Sequence, residues 1–280
     1  MTRNHWKTLV QALLCLPLSL SPALAATGNC YKKLQLPTPD LKPTAHILNI
    51  FIDQTTALSP EMKENVARLV SDWGDAGEQV RIARFSALVK GQFTELMFDQ
   101  RADTFPDQKY LYNLRDRDRQ QLETCLKATQ EQFHETFNQV LRKTLDMTNP
   151  KLPKSDIFYS LKRLSESFLH RDDAARQSVL LVTDGMENSD YAAFHRGQPE
   201  RTMNSRKLMA QLKKHDLEPD WQQANIYVFG LGYLPGKTYV RPRLLEPLKS
   251  FWSDYFKHSN GNVVQLGTPA ILAVSLKNPG

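Results

Sequence analysis

The sequence predicts an α/β fold: a doubly wound, mostly parallel sheet with one antiparallel edge strand and a long inserted helix. Three observations carry this expectation. The apolar runs HILNIFID (46–53), SVLLVT (178–183) and NIYVF (225–229) read as strands buried on both faces of a sheet. Helical periodicities separate these runs, so the strands connect through helices and lie parallel, and right-handed crossovers leave few topologies. Lys90-Gly91 makes a tight turn between two further strand patterns, which forces an antiparallel pair.

Length and composition narrow the class only modestly. The 280 residues are 41% hydrophobic, an ordinary fraction for a globular core. The N-terminus is more specific. Arg3, His5 and Lys7 precede an apolar run from Leu9 to Leu20, and Ala23-Leu24-Ala25 has the small-x-small form of a signal-peptide cleavage site. Residues 1–25 are therefore expected to leave as a signal peptide, placing the product in the periplasm or outside the cell. An uncleaved anchor is the alternative, but the run is shorter than the ~20 residues of a span and contains Pro17. Losing Arg3 and Lys7 trims the formal charge of +6 by two. The remaining excess is spread along the chain without a basic block and gives no argument for nucleic acid.

Two cysteines remain after such cleavage, Cys30 and Cys125. In an oxidising compartment an isolated pair suggests one disulfide, tying the N-terminal arm to the segment around residue 125. Two unpaired buried thiols are the alternative.

Taken in order, residues 26–45 carry Pro37, Pro39 and Pro43 and read as an extended arm. A single domain is expected over 46–268. Its first strand ends at Asp53, and Ser59-Pro60-Glu61 supplies a capping hydroxyl, a proline at the first helical position and an acid in the first turn, opening a helix to about Trp73. Gly74 and Gly77 close it. Gln79 to Ser86 and Gln92 to Phe98 form the hairpin. An insertion at about 100–150 holds a helix from about Asp116 to Asp146, since Leu122, Leu126, Thr129, Phe133, Phe137, Val140 or Leu141, and Leu145 recur at steps of three and four. Asn149-Pro150 and Pro153 break the chain, and Ser155 or Asp156 caps a helix reaching His170. The fourth strand, 178–183, ends at Asp184. A polar loop, Met186 to Arg201, precedes a helix from Thr202 to His215, the strand Asn225 to Phe229, an aromatic helix from Leu244 to His258 and a last strand from Asn262 to Leu266. Residues 269–280 read as a tail.

In a doubly wound sheet the first and fourth strands are neighbours, and ligands bind at the carboxyl end where the chain switches direction. Asp53 and Asp184 should face one another there, with Thr55, Thr56, Ser155 and Asp156 on the same rim. Carboxylates and hydroxyls without thiol or imidazole make an all-oxygen set suited to a hard divalent cation, Mg²⁺ foremost, with Mn²⁺ or Ca²⁺ as alternatives. Strand-end aspartates that only cap the following turns are the competing reading.

The order of elements and three short motifs resemble the von Willebrand factor type A family. The motifs are Asp53-Gln54-Thr55-Thr56-Ala57 after the first strand, Ser155 in KSDIFYSL, and Thr183-Asp184-Gly185 after the fourth strand. Gly230-Leu231-Gly232 adds to the likeness. The resemblance covers about His46 to Leu266. It implies a metal-ion-dependent adhesion site built from Asp53, Thr55, Ser155 and Asp184, and a protein-binding module that holds a partner carboxylate on the metal without turning over a substrate. Ala57 stands where the family's Asp-x-Ser-x-Ser loop has its last serine. Tyr191, Phe194, His195 and Arg196, in the loop bordering the rim, have the composition of an interface hot spot; a tucked loop is the alternative.

Two rival functions share the aspartates. A metal-free scaffold of the cell envelope would use the same fold only to present surfaces. A phosphohydrolase is a weaker fit: Asp53 resembles the nucleophile of haloacid dehalogenase-like enzymes, but the general acid expected two residues on is Thr55. No serine lies in a nucleophile elbow, and the histidines have no metal-ligand spacing.

Overall fold

The computed structural model describes residues 29–40, 44, 46–86, 94–149, 151–152, 155–169, 176–194, 203, 205–234, 238–267 and 276–277. The expected signal segment, the hairpin turn, His195 and Arg196 lie outside them. Six strands form one sheet in the order β3-β2-β1-β4-β5-β8, accompanied by a two-stranded ribbon of β6 (Tyr233–Leu234) and β7 (Thr238–Tyr239). The sheet strands are β1 (His46–Asp53), β2 (Gln79–Phe85), β3 (Thr94–Arg101), β4 (Arg176–Val182), β5 (Asn225–Phe229) and β8 (Asn262–Gly267). All neighbours run parallel except β2 and β3, so the doubly wound expectation holds, with β3 at one edge.

The near-continuous apolar character of β1 is explained by cover on both sides. Phe51, with Val179 and Leu181 of β4, packs against α5 (Ile157–Leu164), α6 (Ser205–Lys214) and α7 (Pro242–His258). Leu48, Ile50 and Ile52 face the opposite layer, built from α2 (Pro60–Leu69) and the sheet-facing half of α4 (Asp116–Asp146). Period two along a strand sends alternate residues to opposite faces, and neither face meets water.

Ser59 caps α2 by accepting from Met62 N at 3.3 Å, with Pro60 at the first position as the sequence implied. The helix ends at Leu69, short of Trp73. Gly74 allows the turn after it: its φ is +111° and a Cβ there would come within 2.7 Å of the Phe133 ring on α4.

The long helix serves two cores. Its Phe133 and Phe137 meet Phe98 of β3 at ring-centre separations of 5.7 and 5.9 Å, and Leu141 and Leu145 continue that stripe. Leu122 and Leu126, one third of the helix earlier, belong to a separate cluster with Cys30 and Tyr31. The arm is not wholly extended, because Asn29–Lys33 forms α1, one short helix. Cys30 and Cys125 are joined by a disulfide with Cα atoms 5.8 Å apart, and Tyr110 closes the cluster by donating its hydroxyl to Pro37 O. The helix α3 (Gln108–Tyr112) carries that tyrosine.

After α5 the chain passes into a π turn, Ser165–Leu169, whose carbonyls at Phe168 and Leu169 accept from the buried side chains of Arg81 and Gln177. The described part of the last segment is docked: Leu276 is fully buried, and Lys277 pairs with Asp75 and Glu78 over the Trp73 ring.

Candidate functional site

The parallel pairing of β1 and β4 puts their carboxyl ends side by side; Asp53 is the last residue of β1, and Asp184 lies in the loop leaving β4. Asp53 is fully buried and every bond it makes is to a hydroxyl or an amide. Its Oδ1 accepts from Thr55 N at 2.9 Å and from Thr55 Oγ1 at 2.6 Å. Its Oδ2 accepts from Thr183 Oγ1 at 2.7 Å. Ser155 Oγ stands 3.4 Å from that oxygen and 3.1 Å from Thr55 Oγ1. Side chains from 102 and 130 residues further along the chain thus converge with Thr55 on one carboxylate.

Asp184 joins the same group through its backbone and its charge. Its amide donates to Thr56 Oγ1 at 3.1 Å, and its Oδ1 accepts from Met186 N at 2.8 Å. Burial pushes the Asp184 carboxyl up from its ordinary 3.8 to about 7; the Asp53 charge adds to this, and the Met186 amide opposes it. Burial likewise raises the Asp53 carboxyl against the pull of the Thr55, Thr183 and Ser155 hydroxyls. The pair is one titrating unit of two acids placed where both cannot ionise without cost.

Gly185 makes the sharp exit from β4. Its φ is +68°, and a Cβ there would overlap Leu231 Cδ1 and lie 2.8 Å from Trp252 Nε1, which donates to Gly185 O at 2.9 Å. The rim loop is thereby anchored to α7. Glu187, fully buried, anchors it on the other side: its Oε2 accepts from Ile157 N at 2.9 Å and Phe158 N at 3.1 Å in the first turn of α5. Asn188 N donates to Ser155 O at 2.9 Å, so the loop that bears Asp184 also holds the residue that bears the Ser155 hydroxyl. Burial drives the Glu187 carboxyl well above its ordinary range, with Ser189 and the two amides pulling the other way and Asp156 adding to the rise.

Asp53, Thr55, Ser155 and Asp184, the four residues singled out in the sequence, are brought together, as is Thr56. Thr183 and Glu187 were not. Thr183 was legible in principle, since it precedes Asp184 in Thr-Asp-Gly; the burial of Glu187 has no local signal. Ala57 contributes no oxygen. The available donors are oxygens throughout, which suits a hard cation, and the paired carboxylates, Asp53 buried and Asp184 partly exposed, supply the charge such an ion neutralises. Among the described residues there is no cluster of three or more His, Cys, Asp or Glu placed to hold a metal, so hydroxyls would have to complete the ligand set.

The aromatic loop is corrected in one respect. Phe194 is not an exposed contact: it is fully buried, edge-on to Phe251 at 5.2 Å and to Phe158 at 6.3 Å. Alternation through the Asn188–Ala193 bridge turns Phe194 inward under the loop. Tyr191 is half-buried against the His215 ring at 5.2 Å.

No family model matches this chain, and no curated protein does. Solved structures similar to it include an aerotolerance-related membrane protein from Bacteroides fragilis, 14% identical over 80% of this chain and 92% of that one, with a TM-score of 0.36. BatB, a conserved hypothetical protein from Bacteroides thetaiotaomicron, is 14% identical over 80% and 91%, with a TM-score of 0.37. The pilus adhesin SpaC from Lactobacillus rhamnosus GG is 10% identical over 82% of this chain but only 28% of its own, with a TM-score of 0.41. Likenesses at this level carry no weight on function. Among the described residues, no helix is long and apolar enough to cross a membrane.

Proposed function

We propose that the protein is an exported, non-enzymatic protein-binding module of the von Willebrand factor type A kind, active in the periplasm or outside the cell. Its rim would hold a divalent cation, Mg²⁺ foremost, through Thr55, Ser155, Asp53 and Asp184, leaving a position for a partner's carboxylate. The observation that carries this reading is the pairing of the partly exposed Asp184 with the buried Asp53, whose carboxylate meets the Thr55, Ser155 and Thr183 hydroxyls. Two adjacent acids in this rim ionise together at neutral pH only at a cost that a bound cation would relieve, and no side-chain cation is bonded to either among the described residues. A bound ion supplies that charge and offers a partner oxygen a seat.

Metal titration monitored by thermal shift and calorimetry tests this. For a dissociation constant of ~0.1 mM, 10 mM Mg²⁺ stabilises the fold by about 2.7 kcal/mol. Asp184→Asn and Thr55→Ala should weaken that gain, and capture of an envelope partner should fail in Asp53→Ala. A metal-free scaffold is the second reading. It is favoured by the closed hydrogen bonding of Asp53 and by the missing hydroxyl at Ala57. Equal stability with and without Mg²⁺ or Mn²⁺ would select it.

A further inference from the structure

The Cys30–Cys125 disulfide lies away from the rim, where α1 meets α4 in a cluster of its own with Tyr31, Leu122 and Leu126. Its two halves are not equivalent. Cys30 is 1% exposed, whereas Cys125 is half-buried and lines a groove of about 670 Å³ together with Lys33, Arg117, Thr124 and Gln132. Lys33 and Arg117 are themselves exposed. In thiol–disulfide exchange the attacking species is a thiolate, so cations lining the groove that leads to one sulfur favour its approach to that sulfur. The same cations raise the local concentration of an anionic nucleophile.

We propose that this disulfide is a redox-exchange site at which Cys125 takes the attack of a vicinal dithiol entering the groove. One thiolate of the dithiol bonds to Cys125 Sγ. The Cys30–Cys125 bond breaks, and its electron pair leaves on Cys30 Sγ, which takes up a proton. The second thiol of the reagent, deprotonated, then attacks its own partner's sulfur in the mixed disulfide and releases Cys125 as a thiolate that is protonated in turn. The reagent ends as a disulfide, and the protein has gained two electrons and two protons. The consequence is mechanical: α1 loses its covalent tie to α4 and is left with the contacts of Tyr31, Leu34 and Leu36. This inference is independent of the rim and of any metal.

The test uses the oxidised full chain without denaturant. Dithiothreitol is added, samples are quenched and alkylated, and mass spectrometry follows the free thiols while tryptophan fluorescence follows unfolding. A dithiol oxidoreductase whose resolving cysteine is replaced by serine is used in parallel to trap the intermediate. Reduction should run at least tenfold faster than unfolding, with the trapped protein bonded to Cys125. Lys33→Glu with Arg117→Glu should slow the reaction about 3–10-fold at low ionic strength, an effect that shrinks at high salt. Reduction that keeps pace with unfolding, a trap bonded to Cys30, or a rate indifferent to charge reversal would each overturn the proposal.

Discussion

Asp184→Asn is the perturbation that most directly tests the electrostatics of the rim. Asparagine keeps the shape of the side chain and an oxygen for the Met186 amide, but removes the ionisation. The folded-state value of about 7 stands above the ordinary 3.8, so the folded protein holds this proton more tightly than the unfolded chain does. The stabilising contribution is therefore complete below about pH 4 and is lost as the pH climbs through about 7. At ~1.4 kcal/mol per pH unit, that separation caps the loss at about 4 kcal/mol. Asp184 is partly exposed, and solvent screening reduces the figure to roughly 2 kcal/mol. For a domain of this size that is about 4–8 °C in Tm. Differential scanning calorimetry of both proteins in EDTA, from pH 4 to pH 8, gives the measurement. The melting temperature of the Asn variant should rise relative to wild type from about pH 4 to about pH 7, ending several degrees higher at pH 8. Adding 10 mM Mg²⁺ should restore wild type and leave the variant unmoved if the rim holds the ion. A difference between the two proteins that is flat across this range, or that favours wild type at high pH, refutes the reasoning.

Three further expectations follow from the same geometry. Ala57→Ser returns a hydroxyl to the rim loop and should tighten Mn²⁺ binding several-fold by calorimetry; unchanged affinity would mean that position 57 does not face the ion. Gly185→Ala forces a side chain into left-handed backbone against Leu231 and Trp252, so the urea midpoint should fall by an amount equivalent to at least ~1 kcal/mol. Phe158→Ala removes a fully buried ring that meets Phe194, Phe251, Trp252 and Tyr255, and should cost ~3–5 kcal/mol in equilibrium unfolding, whereas a loss under ~1 kcal/mol would deny it a place in the core.

What the chain announces by itself is whatever depends on near neighbours. The apolar runs of β1, β4 and β5, the Ser59-Pro60 cap and the stripe of α4 are legible because burial on a strand or helix repeats every two or 3.6 residues. The pairing of β1 with β4, and with it the approach of Asp53 to Asp184, follows from alternation plus the handedness of crossovers. Packing decided the rest. Nothing local tells that Phe194 turns inward, that Glu187 grips the first turn of α5, or that one helix is divided between two clusters. The partners concerned lie far apart in sequence, as with Thr183 and Asp53, 130 residues away from each other, and their hydrogen bonds exist only once the sheet has closed and excluded water. The raised pKa values have the same origin. A carboxylate's environment is a property of everything packed around it, so only the tertiary structure turns two strand-end aspartates into one coupled pair.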